Sequence, residues 1–213
     1  HRHKSIDCLG GVMMILHVEH LAKHFDKKEV LKDITFDFKQ GNIYGLLGRN
    51  GAGKTTFFNC LNEDIKTDGG AFEIEDEKGR RPVAGPDIGY VLSVPVGPEF
   101  LTAREFLKFY SHGMKKKMQM LVNFIANPAV LLLDEPLTSF DVVVAEEMKE
   151  MLRQIKKDHI IIFSTHIMEL ALDLCDEIVV LNQGILEEVP KEHLNQQEFK
   201  DRIIETLRGG EDD

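Results

Sequence analysis

The sequence predicts an α/β fold: a mostly parallel sheet flanked by helices, with an antiparallel β lobe packed beside it. Three observations carry that expectation. Short apolar runs at residues 43–47, 129–133 and 160–163 alternate with longer stretches of helical period, as strands buried on both faces do when crossover helices join them. Two earlier stretches, 15–21 and 30–38, alternate apolar and polar residues and read as strands with one polar face. A glycine-rich turn, Gly48 to Thr55, separates the first apolar run from a segment able to continue as a helix.

The elements follow in order. Residues 1–13 are polar and patternless. No apolar h-region follows their basic residues, so they are not a signal sequence. We read them as a tag or disordered extension outside the fold, with the domain occupying 14–213. After the two amphipathic strands, Gln40-Gly41-Asn42 turns the chain into the run at 43–47, and Thr67-Asp68-Gly69-Gly70 precedes a strand at 71–75. A polar hairpin or loop is expected over 76–86 and a strand over 88–92. Thr102 and Glu105 have capping-box spacing and open a helix to Tyr110. A second helix over 114–126 stops at Asn127-Pro128. Beyond the buried strand at 129–133 come a helix over 141–157, a strand over 160–163 and a helix over 165–174. A closing hairpin turns at Asn182-Gln183-Gly184, and a charged helix runs from Pro190.

Bulk properties narrow the function. With 213 residues the chain can bury a real core as one domain. A net charge of -10 argues against a nucleic-acid surface, and Lys115-Lys116-Lys117 reads as a solvated helix face. Cys8, Cys60 and Cys175 are scattered without metal-ligand spacing and suit a reducing cytosol. The apolar runs are too short to span a bilayer, so work at a membrane would need a partner.

Gly48-Arg49-Asn50-Gly51-Ala52-Gly53-Lys54-Thr55 fits G-x-x-x-x-G-K-[ST], which arises by chance in a chain this long on the order of 1% of the time. Between a strand and a helix this spacing points consecutive backbone N–H groups into one concavity at the positive end of the helix dipole. Phosphates of a nucleoside triphosphate fit there, Lys54 reaching the terminal phosphates and the Thr55 hydroxyl a Mg²⁺ ion. The fold class is thereby a P-loop NTPase.

The run at 129–133 ends in Asp134-Glu135-Pro136, delivering two carboxylates to the carboxyl edge of the sheet, where ligands sit in open α/β folds. Asp134 can hold Mg²⁺ through water, and Glu135 is placed to polarise an attacking water. A solvated strand corner is the other reading, weakened by the phosphate loop. His166 follows the strand at 160–163 through Ser164-Thr165 and emerges at the same edge, where a neutral imidazole could bridge the γ-phosphate and that water. His20, His24, His159 and His193 read as surface residues.

The order phosphate loop, Ser111-His112-Gly113-Met114, Leu131-Leu132-Leu133-Asp134-Glu135-Pro136, Ser139-Phe140-Asp141, then Ser164-Thr165-His166 resembles the ATP-binding cassette (ABC) ATPases, from Met14 to about Glu188. In flavour the chain is similar to the ATPase subunits of multidrug-type exporters, whose signature also often reads Gly-Met-Lys. The resemblance implies that residues 48–56, with Arg49, Asn50, Gly51, Ala52, Gly53, Lys54, Thr55 and Thr56 around the nucleotide, are the Walker A loop. It implies that Phe25 stacks on adenine, a core phenylalanine being the other reading. Ser111 and Gly113 would be signature residues that reach the ATP of the opposite subunit. Asp134 would be the Walker B aspartate, Glu135 the catalytic glutamate, 139–141 the D-loop and His166 the switch histidine. Two subunits, identical or different, would close head-to-tail on two MgATP. They would work with transmembrane permease subunits, peripheral on the cytoplasmic face of the cell membrane, without nucleic acid as partner.

Three departures accompany the resemblance. Where the family places a glutamine on Mg²⁺, this chain has Ser93, whose shorter side chain would need a bridging water. His112 stands where glycine is usual. Tyr110 runs straight into Ser111, where the family carries a helical subdomain that docks on the membrane partner. That subdomain is either deleted or left out of the sequence, and omission is favoured because flexible segments are where order fails. The expected function is an ATP-hydrolysing subunit that powers a membrane transporter, with export by analogy. The alternatives are a soluble ABC-type ATPase and a nucleotide-binding regulatory protein that does not hydrolyse ATP.

Overall fold

A computed structural model describes residues 13–92, 126–137, 140, 142–189, 201, 203 and 204. The strands are β1 (Ile15–Phe25), β2 (Lys28–Lys39), β3 (Ile43–Leu47), β4 (Gly69–Asp76), β5 (Gly79–Pro82), β6 (Ile88–Val91), β7 (Val130–Asp134), β8 (Ile160–Thr165), β9 (Glu177–Asn182) and β10 (Ile185–Val189). The helices are α1 (Lys54–Leu61), α2 (Val142–Ile155) and α3 (Met168–Leu174).

Among the described residues the larger sheet has the order β10-β9-β3-β8-β7-β6. Its strands β6, β7, β8, β3 and β9 run parallel, and β10 closes one edge antiparallel to β9. The smaller sheet, β2-β1-β4-β5, is antiparallel throughout. This is the mixed architecture that the periodicity predicts, and side-chain alternation explains how it packs. Tyr44, Leu46, Val130, Leu132, Ile160 and Ile162 point to one face of the larger sheet, where they meet α1 and the apolar side of the smaller sheet. Ile43, Leu47, Leu131, Leu133, Ile161 and Phe163 point to the other, against α2 and α3. Both faces are covered, so β3, β7 and β8 are buried at every position. Gly45 is needed for this: a Cβ there would lie 2.9 Å from Cys175 Sγ, at the end of α3.

Several boundaries differ from the sequence expectation. β1 continues to Phe25 across register shifts near His20, whose backbone takes a positive φ of 53° while its N–H donates to Thr35 Oγ1. The polar stretch 76–86, expected as a hairpin or loop, does form the turn and second strand of a hairpin, β4 to β5, and then a short 3-10 turn. β8 runs two residues further than expected, and α3 therefore begins at Met168, with Ile167 N–H donating to Thr165 Oγ1. His159 is a correction. It is 5% exposed, not a surface residue, and its Nδ1 bonds the Pro128 carbonyl at 2.7 Å. The short turn from α2 into β8 carries it under the loop that enters β7. His20 and His24 are exposed, as expected. The helices expected at 102–110 and 114–126 lie outside the described residues except for Ala126, and the one from Pro190 except for Asp201, Ile203 and Ile204.

Candidate active site

The parallel strands β3, β7 and β8 end at one edge, and the candidate residues leave from those ends. After Leu47 the chain turns through residues 48–53 and enters α1, with Gly53 at the N-cap in a left-handed conformation (φ 105°). Only glycine adopts it without strain, and a Cβ there would also lie 3.0 Å from Val30 Cγ1. The next side chain, Lys54, is 7% exposed. Its Nζ donates to the carbonyls of Gly48 (2.6 Å) and Arg49 (3.3 Å) and lies 4.0 Å from Glu135 Oε1.

Burial pushes the Lys54 ammonium below the ordinary lysine pKa, opposed by the charges of Glu135 and Asp134. A buried cation with a lowered pKa weakens the fold while it is charged, and that penalty is relieved as pH rises from the lowered value toward 10.5. Anionic phosphate oxygens among the loop's N–H groups would relieve it at neutral pH.

Across the cleft, Asp134 ends β7 at 2% exposure. Its Oδ2 accepts from Thr55 Oγ1 at 2.9 Å, and its Oδ1 accepts from Ser164 Oγ at 2.5 Å. Glu135 leaves the strand with a positive φ of 47°, a conformation that costs a non-glycine residue roughly 1 kcal/mol. This turns its side chain into the cleft, where His166 Nδ1 bonds Oε1 at 2.8 Å. The strain is offset by hydrogen bonds from Glu135 N–H to Ser164 Oγ (3.1 Å) and to the Ser164 carbonyl (3.2 Å).

These groups line one cleft of about 470 Å³. Its lining takes Arg49, Asn50, Gly51, Gly53, Lys54, Thr55 and Thr56 from the loop and the start of α1, with Asp134, Glu135 and Phe25. Ala52 is not in the lining, and its N–H closes the loop onto the Arg49 carbonyl. His166 reaches the cleft through Glu135. Phe25 is 46% exposed, so it is no core residue, and Lys23 Nζ stands over its ring at 5.1 Å, a cation–π contact that occupies one face. Ser93, Ser111, Gly113 and His112 lie outside the described residues, as do Ser139 and Asp141.

Sequence reasoning missed three residues. Lys28 and Val30 line the cleft just after the turn that follows Phe25, a proximity their spacing could have suggested. Ser164 left no such signal, because its partners are reached only through the pairing of β7 with β8.

The donor set fits Mg²⁺. A hydroxyl and a carboxylate oxygen 2.9 Å apart are hard oxygen ligands, and Mg²⁺ takes one or two of these beside substrate phosphates and water. Among the described residues no cluster of three or more His, Cys, Asp or Glu side chains could hold a metal ion. Nor is any helix there long and apolar enough to cross a membrane.

Comparison with known proteins agrees with this geometry. A family model described as ABC transporter matches residues 31–106. An uncharacterized ABC transporter ATP-binding protein of Methanocaldococcus jannaschii is 32% identical over 195 residues, covering 78% of this chain and 74% of the relative. The bacitracin transport ATP-binding protein of Bacillus licheniformis is 30% identical over 224 residues, covering 87% of this chain and 73% of the relative. That match is longer than the whole 213-residue chain, so the relative carries residues within the matched span that this chain lacks. A solved structure described as the ATP binding subunit of an ABC transporter superposes with a TM-score of 0.73 at 24% identity, covering 92% of this chain and 95% of the other. Sequence kinship at this level over most of both chains, on the same fold, leaves one assignment: the chain belongs to the ATP-binding proteins of ABC transporters.

Proposed function

We propose that this protein hydrolyses MgATP and uses it to drive a transmembrane permease, pairing head-to-tail with a second ATPase subunit. The observation that carries the proposal is the contact of His166 with Glu135 (2.8 Å) on the same cleft as the Lys54 loop and the Thr55–Asp134 pair. Binding a nucleotide needs only the loop. A carboxylate and an imidazole held together opposite it supply what hydrolysis needs, an acceptor for the proton of the attacking water and a group that orients the acceptor.

In this reading the residues of 49–56 cradle the phosphates through backbone N–H groups and Lys54. Thr55 and Asp134 would hold Mg²⁺, with Ser93 reaching it through a water. The metal, when bound, neutralises charge on the phosphate oxygens. Glu135 takes the proton from water, His166 fixes the direction of that carboxylate, and Phe25 stacks on the base. Ser111 and Gly113 would serve the nucleotide of the partner subunit. The direction we propose is export, supported by the Gly113-Met114-Lys115 signature, and the location is the cytoplasmic face of the membrane, held there by the permease.

Lys54→Ala tests the nucleotide site. It removes the ammonium that bonds the loop carbonyls of Gly48 and Arg49, and we expect MgATP binding, read by equilibrium titration with a fluorescent ATP analogue, to fall below detection. Tight binding by this variant would reject the assignment.

A further inference from the structure

Ser164 is a polar residue in an apolar strand. The four residues before it in β8, Ile160 to Phe163, are apolar and fully buried, and Ser164 is itself 0% exposed. A hydroxyl in such a place is costly unless its hydrogen bonds are made. Here they all run to the end of the neighbouring strand. Ser164 pairs with Asp134 across the β7–β8 ladder. Its O–H donates to Asp134 Oδ1 at 2.5 Å, and its Oγ accepts the Glu135 N–H at 3.1 Å.

We propose that Ser164 is a positioning residue for the metal-holding carboxylate, an inference that rests on the reading of the site as an MgATP site. A hydroxyl has one proton to give, and this one is committed to Oδ1. Oδ2 is thereby the oxygen presented to Thr55, 2.9 Å away. The carboxylate torsion of an aspartate is broad, so without that donor the plane of the group swings more freely and its second oxygen is held less firmly toward Thr55. The same Oγ holds the N–H of Glu135 in its left-handed turn (φ 47°). One side chain thus sets both the orientation of Asp134 and the point from which Glu135 enters the cleft. Groups that orient metal ligands from behind typically change metal affinity by about 10- to 100-fold when removed.

The test separates metal dependence from nucleotide binding. A fluorescent ATP analogue is titrated onto wild type, Ser164→Ala and Ser164→Thr in EDTA and across a Mg²⁺ series. Free Mn²⁺ is followed by electron paramagnetic resonance in a parallel experiment. For Ser164→Ala we expect unchanged affinity in EDTA, a Mg²⁺ half-saturation raised about 10-fold and Mn²⁺ affinity lowered by a similar factor. Ser164→Thr, which keeps the hydroxyl, holds the wild-type dependence. A hydroxyl that only stabilised the strand would lower the melting temperature and leave the Mg²⁺ series unmoved, and that result overturns the proposal. So does equal weakening with and without metal. If Ser164→Ala does not fold, Ser164→Cys, with a weaker donor in a similar volume, must show the same directional shift or the proposal falls. Lys54→Ala run in parallel distinguishes the two readings. Retained binding by that variant rejects the nucleotide site itself, whereas lost binding beside an unmoved Ser164→Ala rejects only the role of Ser164.

Discussion

Glu135 combines a chemically exposed role with a sheltered position. Its side chain is 16% exposed, its backbone sits at φ 47°, and it lies between the His166 ring at 2.8 Å and the Lys54 ammonium at 4.0 Å. An opposite charge on one side and an imidazole on the other leave little freedom for the carboxylate to wander. Its Gln variant keeps the shape and loses the ability to take a proton. General-base removal typically costs about 10²- to 10⁴-fold, so Glu135→Gln should cut steady-state phosphate release by at least about 100-fold while ATP affinity stays within a few-fold of wild type. Saturating MgATP should then hold the variant as a dimer on gel filtration with light scattering. Near-normal turnover would remove Glu135 from the chemistry, and a monomer under those conditions would remove the two-subunit mechanism. At this scale the residue types were legible in the sequence, since Lys54, Thr55, Asp134, Glu135 and His166 all stand at the ends of apolar runs or in a turn with fixed spacing. Phe25 was open between stacking on adenine and a place in the core, and its 46% exposure rules out only the core.

Strands β3, β7 and β8 act as a rigid frame for these side chains, and the opposite end of β3 shows what keeps that frame in place. Tyr44 is fully buried, packs edge-on against Phe38 with ring centroids 4.9 Å apart, and its hydroxyl oxygen accepts from the Lys39 N–H at 2.8 Å and Asn42 Nδ2 at 3.3 Å. This ties the turn between β2 and β3. Burial pushes the phenol up to about 12 from 10.0, with smaller contributions from its hydrogen bonds to Asn42 and Lys39, which lower it, and from the charges of Glu177 and Glu188. An acid whose pKa rises on folding contributes stability that is fully present below 10 and is lost as pH climbs to about 12. Tyr44→Phe should therefore cost about 1–2 kcal/mol at pH 8, chiefly from the Lys39 N–H left without its acceptor. That gap should narrow or reverse above pH 10 in urea melts. A gap constant across pH would mean that the phenol does not titrate with folding. The pattern of apolar runs made these strands legible, with β7 and β8 correct to within two residues. Where β8 stops and α3 starts was not legible, because Thr165 could serve either element and its hydroxyl bond to Ile167 N–H is a folded-state contact.

For the molecule as a whole, the fold is the one that alternating strands and helices predict, with the antiparallel sheet laid over one face of the parallel one. Its length is the anomaly. The 224-residue match to the bacitracin transport protein exceeds the chain, and we infer that the extra residues correspond to the helical subdomain expected between Tyr110 and Ser111. In that case peptide mapping of the native protein, isolated from its own cells, finds additional residues between Tyr110 and Ser111. A native peptide in which Ser111 directly follows Tyr110 would show a true deletion.

By itself the sequence determined that a phosphate loop lies between a buried strand and a helix, that two carboxylates end another buried strand, and that a histidine follows a third. These are matters of local composition and spacing, which neighbouring residues along the chain suffice to express. The tertiary structure decided which oxygen of which side chain meets which partner. Thr55 and Asp134 stand 79 residues apart and meet at 2.9 Å, and Ser164 and Asp134 stand 30 apart and meet at 2.5 Å. Such contacts exist only once β7 pairs with β8 and α1 packs against the sheet. The burial that makes those few hydrogen bonds strong is a property of the assembled core, not of any segment within it.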